Sequence, residues 1–284
     1  MKIFLSSLEN GCALTKDCWL GRLDEMPFKL KWNLVSYFYA RAGDRRARAD
    51  LIRDRSELLM VDSGAHSFQK GQKVKWDDYT RAYAKFIREF DRPNVIGYFE
   101  MDVDVIIGYP RVLELRRILL SATDKIIPVW HKGRGIEEFD KMCRHFAGKI
   151  IAFSGFKNED IADHQYMMFL KHAKRYGCKV HCLGMTRRAI LDQVPFDYVD
   201  SSSWRQPFIY ARCRMDSGET RRADSDWFRY VRNRDKLELR NYLWGMRMQE
   251  HYYEKWRKCD ENSGRDGRDK GAGEWQDEIP DFLR

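Results

Sequence analysis

The chain has 284 residues, of which 43% are hydrophobic and 33% charged, so it can bury one large core beneath a highly charged surface. Lysine and arginine (52) outnumber aspartate and glutamate (43), which gives a formal net charge of +9. This balance favours a polyanionic partner, although a solvated basic surface without a partner has the same composition. The apolar runs are too short to cross a bilayer, so we exclude a membrane-spanning segment.

The seven cysteines are scattered along the chain. The opening residues, Met1–Asn10, lack the basic stretch and the long apolar stretch of a secretory signal. We therefore expect reduced thiols and a cytoplasmic protein.

Short apolar or alternating runs recur along the chain and are separated by amphipathic stretches. The predicted strands are Lys2–Ser6, Leu34–Tyr39, Leu58–Ser63, Val95–Met101, Ile126–Trp130, Ile150–Ser154, Lys179–Gly184 and Tyr198–Ser202. The predicted helices include Asp77–Phe90, Arg111–Ser121, Ile136–Phe146, Asp163–Tyr176 and Arg187–Gln193. Strands that alternate with helices imply a parallel sheet, and about eight such units close a (β/α)8 barrel.

The segment Leu8–Lys31 stands where a first helix should be, so an open doubly wound sheet is the alternative fold. No glycine-rich fingerprint follows the first strand, which argues against a nucleotide-binding fold. After the last strand comes an irregular basic stretch, and then a helical pattern over Asp226–Lys258 with a break near Asn233. We therefore expect residues 1–259 to form one α/β barrel with a C-terminal helix, and residues 260–284 to form a flexible, charged, glycine-rich tail.

Aspartates follow or end several of the predicted strands. Asp62 ends strand three, Asp102 ends strand four with Asp104 just beyond, and Asp200 lies on strand eight. In a (β/α)8 barrel the carboxyl ends of the strands carry the chemistry, and carboxylates held together there acquire different pKa values. Each aspartate taken alone is better explained as a turn or helix cap. Three on one rim favour a site.

Three blocks of the sequence resemble those of the tRNA-guanine transglycosylase superfamily. Val61–Ala65 with Phe68-Gln69 is similar to its Asp-Ser-Gly-Gly-Phe-Gln signature, although His66 and Ser67 lengthen the motif. His181–Met185 and Phe196–Ser201 resemble its late block, a His-Leu-Leu-Gly strand followed by a strand that ends in the nucleophilic aspartate. Leu239–Met248 resembles its closing helix, so the likeness runs from about Leu58 to Met248.

The resemblance implies base exchange at a glycosidic bond in two displacements. It makes Asp200 the nucleophile at C1′ and Asp62 the general acid and base. Asp102 would bind the purine N1–H and exocyclic amine, with Asp104 as its competitor for that role. The other residues expected at the base are Ser63, Gly64, His131, Ser154, Gly155 and Gly184.

The chain departs from the family after Asp200. The family carries a Cys-x-Cys-x-x-Cys motif with a later histidine that binds structural zinc, whereas only Cys213 and Cys259 follow here. We therefore expect no structural zinc and no cofactor, and the length leaves no room for an added RNA-binding domain. This outline is most similar to the shortened DNA-modifying (DpdA-like) branch, which exchanges guanine in DNA for a free 7-deazaguanine base.

Three other functions stay open from the sequence. They are a tRNA-guanine transglycosylase, a hydrolytic glycosylase that stops after removing the base, and a catalytically silent partner subunit that binds nucleic acid. The presence of both Asp62 and Asp200 argues against the silent subunit.

Basic residues near the expected rim are the predicted phosphate contacts, because a target base must leave the stack to reach such a site. The predicted nucleic-acid-binding residues are Arg187, Arg188, Trp204, Arg205, Arg212, Arg214, Arg221 and Arg222. Phe208, Tyr210 and Trp227 accompany them as aromatic platforms, with core packing as the alternative for each ring. Cys178, His181 and Cys182 have metal-like spacing, but a strand would point His181 away from the two thiols, so we interpret them as buried core residues.

Overall fold

The computed structural model describes residues 1–41, 43–68, 74–154, 161–210, 212–214, 219–222 and 231–263. Nine parallel strands form one sheet in the order β5-β4-β3-β2-β1-β9-β8-β7-β6. Their bounds are β1 Lys2–Ser6, β2 Leu30–Ser36, β3 Ser56–Asp62, β4 Val95–Phe99, β5 Ile126–Ile127, β6 Val129–Trp130, β7 Ile150–Ser154, β8 Lys179–Leu183 and β9 Tyr198–Ser201. A separate antiparallel hairpin pairs β10 Arg212–Arg214 with β11 Thr220–Arg222.

The sheet is a nearly closed barrel, consistent with a TIM-type fold. Its two end strands, β5 and β6, are consecutive in the chain and separated only by Pro128. Proline lacks an amide hydrogen, so it interrupts the ladder at this point. The segment pairs with β4 on one side of the proline and with β7 on the other.

Helices surround the barrel. Their bounds are α1 Tyr37–Ala40, α2 Gly43–Arg55, α3 Trp76–Phe90, α4 Asp104–Ile107, α5 Tyr109–Leu120, α6 Ile136–His145, α7 Asp163–Arg175, α8 Arg188–Leu191, α9 Gln206–Ile209 and α10 Val231–Ser263. In α3, the buried residues Tyr79, Tyr83, Ile87 and Phe90 recur every three or four positions, the spacing that places them on one face. No helix among the described residues is both long enough and apolar enough to cross a membrane.

Alternation along the strands separates two cores. Phe4 packs inside the barrel with inward-facing residues of other strands. Its neighbours Ile3 and Leu5 belong to the core between the barrel and the helices, which we call the outer core. The same alternation on β9 places Val199 in the outer core. Asp200 therefore faces the barrel interior, as strand periodicity requires.

The predicted second strand, Leu34–Tyr39, is wrong at both ends. The observed strand begins four residues earlier, at Leu30, and the chain turns into α1 at Tyr37. Asn33 lies fully buried within the strand. Its amide donates to Ser56 Oγ at 3.0 Å, and its carbonyl accepts from the Tyr242 hydroxyl at 2.8 Å. These distant partners satisfy a polar side chain that would otherwise be costly to bury.

Helix α10 spans the height of the barrel and begins at Val231, continuing through Asn233. Near the carboxyl ends of the strands, Glu238 accepts from Arg48 at 2.8 Å. Further along, the Gln249 amide donates to the carbonyls of Ile3 at 2.7 Å and Trp32 at 2.6 Å. The helix therefore ties the first two strands to the C-terminal part of the chain. The predicted tail spans residues 260–284, but the helix continues to Ser263, and the remainder of the predicted tail lies outside the described residues.

Candidate functional site

The carboxyl ends of the parallel strands meet at one end of the barrel, which we call the carboxyl rim (Asp62, Asp102, Asp104 and Asp200). Asp62 is the last residue of β3, and Asp200 lies at the end of β9, with β2 and β1 between them in the sheet. Asp102 follows β4 directly, and Asp104 opens α4. The structure therefore brings all four predicted acids to the same end of the barrel.

Asp62 is a carboxyl group held on one side only. Its Oδ2 accepts the Gly64 amide at 2.9 Å and the Ser36 hydroxyl at 3.3 Å. Its Oδ1 has no hydrogen-bond partner among the described residues. The pKa of Asp62 is raised to about 6, mainly by burial and also by the nearby charges of Asp200 and Asp102, against the opposing hydrogen bond from Gly64.

Asp200 is also held through one oxygen. Its Oδ1 accepts the Gly184 amide at 2.8 Å and lies 3.0 Å from His181 Nε2. Its Oδ2 has no hydrogen-bond partner in the part of the chain that the structure describes. The side chain is 15% exposed, so one fixed carboxylate oxygen is left to face an incoming ligand.

His181 is the partner of Asp200 that the sequence interpretation assigned to the core. It is completely buried inside the barrel, beside Phe4 and Phe99, whose rings lie 6.3 and 4.9 Å away. Because a carboxylate only accepts, Nε2 carries the proton and donates it to Asp200. Nδ1 is buried and has no hydrogen-bond partner among the described residues. The prediction that Cys182 faces away from His181, into the outer core, is confirmed.

Asp102 and His131 form a close pair. His131 Nε2 lies 2.6 Å from Asp102 Oδ1, and the two side chains are 23% and 28% exposed. Burial alone would lower the pKa of His131, but the hydrogen bond and charge of Asp102 outweigh it and raise that pKa. Asp102 Oδ2 has no partner among the residues described, so this carboxylate keeps one accepting oxygen.

Asp104 is fully engaged by the protein. Its Oδ2 accepts Arg134 Nε at 2.7 Å, and its Oδ1 accepts the Val105 amide at 3.0 Å. Burial opposes ionisation here, but the Arg134 guanidinium prevails and lowers the pKa of Asp104. Arg134 itself stacks over the Tyr109 ring at 4.1 Å. Asp104 therefore behaves as the acid of a structural ion pair.

The small residues of the rim shape the backbone around the acids. Gly64 and Gly184 have φ values of +73° and +61°, a region that side chains other than glycine rarely adopt, and each turns its amide toward an aspartate. Ser63 is fully buried, with its carbonyl accepting from the Tyr79 hydroxyl at 2.8 Å. Ser154 ends β7 and is partly buried, and Gly155 lies outside the described residues.

Three of the seven predicted phosphate-binding arginines are engaged by the protein itself. Arg187 pairs with Asp163 at 2.7 Å. Arg205 is largely buried and donates to the Asn10 carbonyl, and burial lowers its pKa. Arg214 is partly buried and lies over the Trp244 ring at 4.3 Å.

The remaining members of that set differ in accessibility. Arg188 and Arg212 are exposed, and for Arg221 and Arg222 only the backbone of β11 is described. Trp204 is 1% exposed and its indole donates to the Ser6 carbonyl at 2.9 Å. Its ring also packs against Tyr242, so Trp204 has the core role that was the alternative for these aromatics and presents no stacking surface.

Two groups of three side chains have potential metal-ligand atoms within 4.8 Å of one another among the described residues. They are Asp102, Asp104 and His131, and Cys12, Asp235 and Glu238. A guanidinium already contacts each group, since Arg134 pairs with Asp104 and Arg48 pairs with Glu238. An arginine at that position repels a cation, so we assign no metal to either group.

Comparison with known proteins adds no family. No protein-family model matches the chain, and no curated protein matches it. The function is therefore inferred from the geometry of the rim and from the motifs in the sequence.

Proposed function

We propose that this protein is a transglycosylase that replaces guanine in DNA with a free 7-deazaguanine base through a covalent glycosyl-aspartate intermediate. One observation carries the proposal. Two aspartates at the same end of the barrel are each held by one oxygen, and the other oxygen of each has no hydrogen-bond partner among the described residues. We count Ile126–Trp130 as one strand interrupted at Pro128, which makes the fold a single (β/α)8 barrel with a C-terminal helix.

Asp200 is suited to the role of nucleophile. His181 and Gly184 fix its Oδ1, so Oδ2 is the oxygen that attacks C1′. In the first displacement the C1′–N9 bond breaks, its electron pair leaves with the purine, and an ester forms between C1′ and Oδ2. His181 supports this step because its Nε2 hydrogen bond orients the carboxylate for attack.

Asp62 is suited to proton transfer. A pKa of about 6 places its titration near neutral pH, where a general acid and base is most effective. Its carboxyl group gives a proton to the departing guanine and becomes a carboxylate. In the second displacement this carboxylate takes the N9 proton of the incoming deazaguanine while N9 attacks C1′ and the ester to Asp200 breaks.

Asp102 is better suited than Asp104 to hold the purine. Both oxygens of Asp104 already accept hydrogen bonds from the protein. Asp102 keeps one oxygen for the N1–H or the exocyclic amine of a guanine. His131, fixed by Asp102, lies beside that oxygen and becomes a further contact to the base.

The incorporation of labelled guanine tests the proposal. The protein is incubated with radiolabelled guanine and either duplex DNA or tRNA, and label is counted in the polymer. We expect label in DNA, none in tRNA, and none in DNA with the Asp200→Asn variant. Asp192→Asn is the matched control, because Asp192 is an exposed carboxylate paired with Lys255, and this variant should keep wild-type incorporation.

The other outcomes identify other functions. Label in tRNA alone would make the protein a tRNA-guanine transglycosylase. Loss of guanine from DNA without incorporation would indicate a hydrolytic glycosylase. Unmodified DNA and tRNA would contradict base exchange and favour a silent subunit that binds nucleic acid.

A further inference from the structure

The opposite end of the barrel carries a basic groove, which we define by the cations Lys2, Lys171, Lys174, Arg175, Lys179 and Arg257. The groove has a volume of about 820 Å³ and a single carboxylate, Asp197, among its lining residues. Lys2 and Lys179 are the first residues of β1 and β8. Because all strands of the barrel are parallel, their first residues lie at the end opposite the carboxyl rim.

Among the described residues, only two of the six cations of the basic groove are paired with a carboxylate. Lys174 pairs with Asp197 at 2.5 Å, and Arg257 pairs with Glu254 at 2.7 Å. Lys171, Arg175 and Lys179 are exposed, and none has a carboxylate within ion-pair distance among the described residues. These three cations therefore form a concentrated positive field at the surface.

The aromatic rings beneath the cations are already engaged. The Lys2 ammonium lies 5.1 Å from the Tyr253 ring, and the Lys255 ammonium lies 5.7 Å from the Trp256 ring. Both rings belong to α10 and are partly buried. The groove thus offers positive point charges, and a cation already lies over the rings of both Tyr253 and Trp256, where a base would otherwise stack.

We infer that the basic groove binds the sugar–phosphate backbone of nucleic acid without reading its sequence. Lysine ammonium groups are compact charges suited to phosphate, and their contacts give affinity without base specificity. The bound segment is not the one that delivers the target base, because groove and rim lie at opposite ends of the barrel. This inference goes beyond the exchange reaction and does not depend on it.

Charge reversal in the groove tests the inference. Lys171 and Arg175 lie one helical turn apart on α7, and the test variant is Lys171→Glu with Arg175→Glu. The matched control is Arg81→Glu with Lys85→Glu, an exposed pair with the same spacing and the same change in charge on α3. Affinity for long duplex DNA is measured by fluorescence anisotropy over a range of salt concentrations, without any deazaguanine.

We expect the groove variant to lose about two units from the slope of log affinity against log salt, because each phosphate contact contributes about 0.9. Its affinity at low salt should fall on the order of tenfold or more, while the α3 control keeps the wild-type slope. Equal losses of affinity and slope in both variants would mean that only the net charge of the protein matters, and this would overturn the inference. An unchanged slope in the groove variant would also overturn it.

A competitor distinguishes nucleic acid from the other polyanion that the groove could hold, an acidic protein segment. Polyglutamate that displaces DNA as well as an equally charged oligonucleotide does would overturn the nucleic-acid assignment. The same binding series is repeated in an Asp200→Asn background, so that DNA binding is measured without the exchange reaction. If base exchange fails but the groove substitutions still weaken DNA binding, the proposed function alone is contradicted.

Discussion

The two ends of the barrel handle like charges in opposite ways. At the carboxyl rim, aspartates are partly buried within electrostatic reach of one another, and the pKa of Asp62 rises to about 6. At the basic groove, Lys171, Arg175 and Lys179 project from exposed positions where water and salt screen their repulsion. Crowding charge in a desolvated place costs stability, whereas spreading it over a surface costs little. The rim is therefore suited to chemistry and the groove to binding.

The largest effect should come from the nucleophile. Asp200→Asn keeps an acceptor for Gly184 but removes the oxygen that forms the ester. We expect guanine exchange to fall on the order of ten-thousandfold or more. Exchange is measured with labelled guanine and DNA, and DNA affinity should stay at the wild-type value. If exchange stays within tenfold of the wild-type rate, Asp200 is not the nucleophile and has only a structural role in the turn.

Asp62→Asn should cause a smaller loss of guanine exchange, in the range of about a hundredfold to ten-thousandfold, because it removes only the proton-transfer group. Guanine release by the wild type needs the protonated carboxyl group, so its rate should fall as pH rises above about 6. Single-turnover release measured across pH should show that decline in the wild type and none in the variant. A decline that persists in Asp62→Asn would assign the titration to another group.

The same substitution should stabilise the fold in a pH-dependent way. The folded-state pKa of Asp62 is raised from 3.8 to about 6, so the stability that its proton gives is present below about pH 4 and lost as pH rises through 6. Asp62→Asn should therefore gain up to roughly 3 kcal/mol of unfolding free energy over the wild type at pH 7 and little at pH 4. Urea denaturation at the two pH values measures this difference. A gain of equal size at both would contradict the raised pKa.

His181 should have a smaller effect on catalysis, because it acts through Asp200. His181→Ala removes one of the two donors to Oδ1, and a misplaced nucleophile costs on the order of a hundredfold in rate. The loss should appear in kcat with KM unchanged. His181→Gln, which offers an N–H donor, should recover part of it. Equal losses in the two variants would contradict a positioning role for His181.

Much of the fold was predictable because the strands and helices carry their own periodicity. The predicted first strand, Lys2–Ser6, matches the structure, and helix α3 agrees with its prediction to within one residue. Helix α2 escaped prediction because Arg48 lies on its buried face. That guanidinium is satisfied by Glu238, a residue too distant in sequence for any local pattern to reveal.

The candidate site was predictable to the same extent. Strand ends placed Asp62 and Asp200 at one rim, and Gly64 and Gly184 beside them. His181 was overlooked as a partner, although inward alternation on adjacent strands was the available signal, since His181 pairs in register with Tyr198, two residues before Asp200.

The roles that could not be predicted from the sequence depend on contacts between residues that are distant in the chain. The choice between Asp102 and Asp104 needed the position of Arg134, and the burial of Trp204 needed helix α10 to be in place. Local sequence patterns show neither contact. The basic groove was missed for the same reason, because it combines residues from both ends of the chain.

Trapping of the covalent intermediate tests the central claim most directly. Protein is mixed with a DNA substrate in the absence of any incoming base, denatured, and examined by electrophoresis and by mass spectrometry of its peptides. We predict a DNA adduct on the peptide that contains Asp200 in the wild type, a weaker adduct at the same place in Asp62→Asn, and none in Asp200→Asn. An adduct that persists in Asp200→Asn and disappears in Asp62→Asn would reverse the two roles. An adduct in none of the three proteins would contradict covalent base exchange at this rim.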